Sequence, residues 1–317
     1  MAIYITGSLA YDRIMNFPGK FSESILADHL HILNVSFFID KLDENFGGNA
    51  GNIAYSLHLL GEKPVIVATA GKDFERYRQT LSFYELPLHA IREIPEMLTA
   101  SAYIITDQAN NQITAFHAAA LMEPSDYTFP ELNAATDMAL IGPANPGDMI
   151  DHPRLYKEKG VRYIFDPAQQ LPILAGADLR ECIDGAYLLI GNDYEISLIS
   201  EKTGCSLEAL VAMTRRGVII TYGEEGSKVL EKGQEPVSIP ALPIAGVVDP
   251  TGAGDAYRSG LIRGLVANLP LPVCARLGAT CAAYCIEHKG PQEHSYTPAA
   301  FKARYEATFG RGSFPLN

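Results

Sequence analysis

The sequence predicts an α/β fold in which a mostly parallel central sheet is flanked by helices and carries a small β-sheet lid at its edge. Three observations point there. Short apolar runs bounded by Gly, Asn or Asp recur along the chain, and stretches of helical periodicity lie between them. Two segments, 30–46 and 99–117, alternate like strands with no helix of their own. The 317 residues show no repeat, low-complexity tract or Pro/Gly-rich linker, so one domain spanning 1–317 is expected, with lid segments at about 10–46 and 99–117.

The elements follow in order. Ile3 to Thr6 is a short apolar strand ending at Gly7-Ser8. Ile53, Leu57 and Leu60 form an apolar stripe at helical spacing that Gly61 stops. Pro64 to Thr69 reads as a buried strand and Asp73 to about Tyr84 as the helix after it. Within the second lid segment, the stretch from Asp107 to Gln112 has the Asp/Asn content of a hairpin turn. Four further strands are expected at 138–141, 163–165, 187–190 and 218–221, with helices at Pro146–Lys159, Asp193–Thr203 and Leu207–Thr214. The last third is helical, over Ala253–Asn268, Pro272–His288 and Pro298–Phe309.

Composition narrows the function. Apolar residues make up 47% and charged residues 20%, enough for a core of ordinary proportions. A net charge of −12 argues against broad attachment to nucleic acid or anionic lipid, though a few backbone amides can still hold a small anion. No run approaches the roughly 18 apolar residues of a membrane span, and the N-terminus has no basic region of a signal peptide. The five cysteines never form a CxxC pair and read as free thiols of a reducing cytoplasm, where the protein is expected. His29 and His31 read as exposed strand residues rather than zinc ligands.

The strongest motif is Asp249-Pro-Thr-Gly-Ala-Gly-Asp255-Ala-Tyr-Arg258-Ser-Gly260. Gly252 and Gly254 leave the amides of this bend uncovered, Ala253 between them, and a helix follows; amides converging there make an anion hole suited to a phosphate in transfer. Asp255 falls in the first turn, placed to take a proton from an attacking hydroxyl, help worth about 10²–10⁴-fold. An Asp there also complements the helix dipole, and the residues alone leave both roles open. The third glycine of a dinucleotide fingerprint is missing, and no GxxxxGK[ST] occurs. A second motif runs from Phe46 through Gly47-Gly48-Asn49-Ala50-Gly51-Asn52, where glycines let a polar ligand approach backbone and Asn52 can bond a hydroxyl; a tight turn with an amide cap accounts for it equally.

Together these motifs resemble the two signatures of the ribokinase-like (PfkB) family of sugar and nucleoside kinases, a likeness that runs over nearly the whole chain. Asn192-Asp-Tyr-Glu195 is similar to the family's NxxE element, and Thr221-Tyr-Gly223-Glu-Glu-Gly226 to its nucleotide turn. The wording of the N-terminal half (Thr6 to Asp12, Phe17 to Glu23, His31 to Asp40) and Asp166-Pro-Ala-Gln169-Gln170 look most like adenosine kinases of the bacterial type.

The resemblance implies a ribokinase-like three-layer fold and ATP-dependent transfer of the γ-phosphate to the 5′-hydroxyl of adenosine, a purine-salvage reaction giving AMP. Asp12, Gly48 and Asn52 would hold the ribose hydroxyls. Tyr103 and Phe116, with Phe37 or Phe38, would flank the base beside Ser8, Ser36 or Gln170. Thr221, Gly223, Gly226 and Thr251 would contact ATP, with Arg258 either clamping a phosphate or pairing with a surface carboxylate. Mg²⁺ would be held through water ordered by Asn192 and Glu195. A K⁺ site would use Asp249, Thr251 and backbone from about 287–292. Pro250, where the family usually has Thr, removes one amide and stiffens the bend. A homodimer through the lid is expected. The alternatives are a ribokinase or fructokinase, a kinase for guanosine, inosine or cytidine, and a non-catalytic nucleoside sensor.

Overall fold

Strands predicted from apolar runs lie side by side in the computed structural model, which describes residues 1–25, 32, 34–109 and 111–316. The first half contains β1 (Ile3–Thr6), β2 (Ala10–Asn16), α1 (Phe21–Ser24), β3 (Lys41–Gly47), α2 (Asn49–Leu59), β4 (Val65–Gly71), α3 (Glu75–Phe83), β5 (Ile91–Ile94), β6 (Ala100–Thr106) and β7 (Gln112–His117). Next come β8 (Met138–Ile141), α4 (Pro146–Lys159), β9 (Arg162–Phe165), α5 (Gly176–Ile183), β10 (Leu188–Asn192), α6 (Asp193–Thr203), α7 (Leu207–Met213) and β11 (Gly217–Thr221). The chain closes with β12 (Ser227–Glu231), β13 (Val237–Ile239), α8 (Ala253–Val266), α9 (Leu271–Ile286) and α10 (Pro298–Phe309).

The large sheet has the order β13-β12-β11-β10-β9-β8-β1-β4-β5; β12 and β13 join antiparallel and the other pairings are parallel. Its central strands are apolar on both faces because helices cover both. Alternate residues divide the core. Ile5, Leu140, Ile164, Leu188 and Ile219 pack with Ile53, Leu57, Leu261 and Leu265 on one side. Tyr4, Ala139, Ile141, Tyr163, Leu189 and Val218 pack with Met149, Leu179 and Ile199 on the other. On the first side α8 and α9 touch closely, since a Cβ at Gly260 would lie 2.4 Å from the Leu277 carbonyl oxygen.

The second sheet, β3-β2-β6-β7, is the predicted small one. Its hairpin turn is built by Asp107, whose Oδ1 accepts from the amides of Ala109 (2.9 Å) and Asn111 (2.8 Å). The first lid segment differs from expectation. Among the described residues of this segment the strand is Lys41–Gly47, and 34–39 is irregular. There Phe37 turns into an aromatic cluster with Phe17 and Phe21 rather than pairing in a sheet. His29 and His31 lie outside the described residues.

Helix ends follow local chemistry. Asn145 caps α4 by accepting from Gly147 and Asp148, with Pro146 in the first turn and Gly160 left-handed after the last. α8 ends at Val266, short of the expected Asn268, where φ turns positive. All five cysteines are unpaired. Among the described residues no helix is long and apolar enough to cross a membrane.

Candidate functional site

Two helix starts that are remote in sequence meet at the site. Gly48 precedes α2 with a φ of 83°, and a Cβ there would lie 2.5 Å from the Ser8 carbonyl oxygen. Only glycine suits that corner. Gly252 precedes α8 with a φ of 79°, and a Cβ there would strike Pro291 at 2.4 Å. The two helices join through Asn52, whose Nδ2 donates to Asp255 Oδ2 at 2.9 Å. Asn52 Oδ1 in turn accepts from Gln292 Nε2 at 2.9 Å.

Between the sheets lies a cavity of about 900 Å³. Ser8, Asp12, Gly48, Asn49 and Asn52 form one wall, and Ala102, Ile104, Thr114 and Phe116 of the small sheet form another. Asp166, Gln170, Asn192, Glu195, Thr251, Gly252, Gly254, Asp255 and Arg258 complete it. A second, more apolar cavity of about 390 Å³ adjoins it, lined among others by Gly226, Leu242, Ile244, Ala253, Tyr257 and Ile286. Thr221, Gly223 and Gly254 border both.

The bend before α8 carries no side-chain cap. Ala253 N–H is spent on the Pro250 carbonyl at 3.2 Å, which corrects the expectation that all three amides at 252–254 point to an anion. Gly254 N–H sits in the first helical turn, where no intrahelical acceptor exists, and the residue borders both cavities. Asp249 ties the bend to the chain beyond α9, its carboxylate accepting from the amides of Thr251 (2.9 Å) and Gly290 (3.0 Å). Each oxygen of the carboxylate assigned to K⁺ thus accepts one backbone hydrogen bond and keeps further acceptor capacity.

Burial raises the Asp255 carboxyl to about 7; the Asn52 hydrogen bond and Arg258 oppose the rise, while Asp166 and Asp12 add to it. Asp12 is likewise pushed up to about 6, by burial and then by Asp249. Arg258 is 6% exposed and Asp166 2%. They form a two-pronged ion pair, Nε to Oδ2 and Nη2 to Oδ1, the latter at 2.6 Å. The partner of Arg258 is therefore a buried carboxylate and not a surface one. Its remaining Nη1 lies beside Gly254, where a Cβ would be 2.8 Å away.

The other expected residues divide into those at the cavity and those away from it. Asn192 and Glu195 border it while forming a capping box at the start of α6. Glu195 Oε2 accepts from the Asn192 amide at 2.8 Å, and burial raises this carboxyl. Its second oxygen is an acceptor of the type that water on a hydrated Mg²⁺ donates to, and Asn192 Oδ1, which accepts from the Glu195 amide at 2.7 Å, has one lone pair left for the same purpose. Ser8 Oγ donates to Asn49 Oδ1 at 2.8 Å, and Gln170 Nε2 donates to the Ala144 carbonyl at 2.9 Å. Tyr103 does not reach the cavity. Ala102 and Ile104 face it, so Tyr103 falls on the opposite face of β6, where its hydroxyl accepts from Arg13 at 2.9 Å. Ser36 is exposed and is not part of the wall, nor is Phe38.

Several residues were not anticipated. Asp166 entered the sequence analysis only as part of a wording, yet it anchors Arg258. Asn49 lines the cavity with a buried Nδ2 that has no partner among the described residues. Gln292 and Tyr77 stand behind Asn52.

An α/β architecture with an uncapped, glycine-led helix start that carries a buried carboxylate in its first turn is suited to handling phosphate. A model of the pfkB family of carbohydrate kinases matches residues 10–298, and the chain belongs to that family, with its ribokinase-like fold. It is 28% identical over 280 residues to a nucleoside kinase of Methanothermobacter thermautotrophicus, covering 87% of this chain and 90% of the relative. The nucleoside kinase of Burkholderia thailandensis, solved in complex with inosine, matches with a TM-score of 0.84 at 38% identity over 98% of each chain. The Methanocaldococcus jannaschii nucleoside kinase matches with a TM-score of 0.87 at 28% identity, over 97% of this chain and 99% of that one.

Proposed function

We propose that this protein is an ATP-dependent nucleoside kinase that phosphorylates the 5′-hydroxyl of a purine nucleoside, adenosine foremost. The observation that carries the reading is the Asn52–Asp255 contact, which brings a carboxylate of pKa about 7 into the acceptor cavity beside the amide of Gly254. A base titrating there is largely ionised at pH 7.5 yet still proton-hungry.

In this reading the nucleoside occupies the larger cavity. Asp12 accepts hydrogen bonds from the ribose hydroxyls, and the bare backbone at Gly48 lets the sugar approach closely. Phe116, 55% exposed on β7, covers the base, and the free Oε1 of Gln170 accepts from its edge. The apolar cavity beyond Thr221 and Gly223 suits the donor's base, which places the triphosphate across Gly254. Asp255 takes the 5′-hydroxyl proton as that oxygen attacks the γ-phosphate. Gly254 N–H and Arg258 Nη1 stabilise the charge on the transferring group. Asn192 and Glu195 would hold Mg²⁺ through water; bound there, the ion neutralises phosphate charge. The small sheet excludes water as a lid, limiting ATP hydrolysis.

A second acceptor, inosine, is favoured by one observation: the 38% identical Burkholderia enzyme was solved with it, and also with ADP-inosine. The Gln170 Oε1 acceptor serves the amino group of adenine and the N1–H of hypoxanthine alike. We also place a homodimer contact on the lid, whose strand β7 is an exposed sheet edge; sedimentation of the full chain as a monomer at assay concentrations would remove it. Acceptor choice is tested by comparing kcat/KM for adenosine, inosine, guanosine, cytidine, ribose and fructose with ATP. Adenosine should lead. Turnover of ribose or fructose with none of the nucleosides would refute the reading.

A further inference from the structure

Gln292, in the loop after α9, is 8% exposed and does not itself line the cavity. Its Nε2 donates to Asn52 Oδ1 at 2.9 Å and to the Tyr77 hydroxyl at 2.6 Å. The Tyr77 proton is spent on the Gly47 carbonyl at 3.0 Å, so this hydroxyl meets Gln292 as an acceptor. Gly51 makes the room, because a Cβ there would lie 1.8 Å from the Tyr77 oxygen. Pro291, the preceding residue, rests against Gly252 and so ties the same loop to the anion-binding bend.

We propose that Gln292 is a positioning residue for phosphoryl transfer: it fixes the side-chain amide of Asn52 so that the NH₂ end, and not the oxygen, faces Asp255. This rests on the assignment of Asp255 as the base. The donors run in one direction. Gln292 can give only N–H to Asn52, because its Nε2 is held toward Asn52 and the fixed Tyr77 acceptor. Turning Asn52 over would then set two NH₂ groups against each other and, at its far end, an amide oxygen against the Asp255 carboxylate. Both contacts are repulsive between groups this buried, whereas the observed orientation sets a donor against an acceptor at each step. Asn52 itself is 5% exposed, so a lost partner is poorly replaced by solvent.

The charge around Asp255 is otherwise independent of Gln292. Arg258 faces it from α8, Asp166 from the end of β9 and Asp12 from β2. Cys285 of α9 and Tyr77 of α3 also sense it, both with their own ionisation pushed to higher pH by burial.

The test is the pH dependence of kcat and kcat/KM for the full chain with adenosine and ATP, using Gln292→Leu, Asn52→Leu and the double variant. Gln292→Leu should lower kcat about tenfold and move the acid limb upward by about half a pH unit or more, leaving KM for ATP unchanged. In the Asn52→Leu background the same change should add less than about twofold and no further shift, since its route is gone. An acid limb unmoved by Gln292→Leu, or moved equally in both backgrounds, overturns the proposal. Should Gln292→Leu not fold, Tyr77→Phe reads the same chain from the other end: a smaller upward shift supports it and an unmoved limb overturns it. Asp255→Asn separates the two levels. Full activity in that variant defeats the base itself, whereas an inactive Asp255→Asn with an unmoved Gln292→Leu limb defeats only the role of Gln292.

Discussion

Arg258 and Asp166 form a buried, two-pronged ion pair in the floor of the large cavity, joining α8 to the end of β9 with Nη2–Oδ1 at 2.6 Å. Both residues border the cavity, so the pair shapes the site and also spends its strongest positive charge on the protein itself.

Breaking the pair from one side should be costly. Arg258→Met leaves Asp166 charged and buried, and a loss of about 3–5 kcal/mol in denaturant-measured stability is expected. Arg258→Met with Asp166→Leu removes both charges and should recover much of that loss. Equal destabilisation by single and double variants would show that the pair matters only through packing.

The pH–rate profile should fall on the acid side near pH 7. Asp255 must be ionised to accept a proton and its carboxyl is raised to about 7, so kcat/KM drops tenfold per unit below that value. Asp12, raised to about 6, adds a second and lower step through ribose binding. A profile flat from pH 5 to 8 would contradict both.

Stability should carry the opposite sign. The Asp255 carboxyl is raised from 3.8 in the unfolded chain to about 7 in the folded one, so the folded state holds the proton more tightly between those values. Stability contributed by that protonated form is lost as pH climbs through the window. Asp255→Asn removes the penalty. The variant should match the parent near pH 4 and exceed it above pH 7 by about 1–2 kcal/mol, discounted for the water that reaches the cavity. Urea unfolding at the two pH values checks this.

Two lid aromatics should separate cleanly. Phe116→Ala removes a cavity wall and should raise KM for the nucleoside about tenfold or more. Tyr103→Phe, on the far face with Arg13, should leave that KM within about twofold. Steady-state kinetics with varied nucleoside decides it.

What was legible in the sequence is what is local in the chain. Asp249 to Gly260 and Phe46 to Asn52 are contiguous, and a glycine bend feeding a helix carries its own mechanism, so Asp255, Gly252 and Gly48 could be singled out, and all three border the cavity. The central strands were legible too, because strands covered on both faces are apolar throughout. β5 (Ile-Arg-Glu-Ile) and β12 (Ser-Lys-Val-Leu-Glu) are short and mixed in polarity, and were missed. Pairings across the chain leave no local trace: Asp166 and Arg258 are 92 residues apart, and Asn52 and Gln292 are 240. Tyr103 failed for another reason. Alternation along β6 shows that two faces exist, but only packing decides which one looks inward.

The central claim is that the Asp255 carboxylate removes the acceptor's proton. Its most direct test measures transfer of labelled γ-phosphate from ATP to adenosine by the parent and by Asp255→Asn, with nucleoside binding followed calorimetrically in both. A drop in kcat of about 10²–10⁴-fold with binding retained is the predicted result. Transfer at the parent's rate by Asp255→Asn would contradict the account.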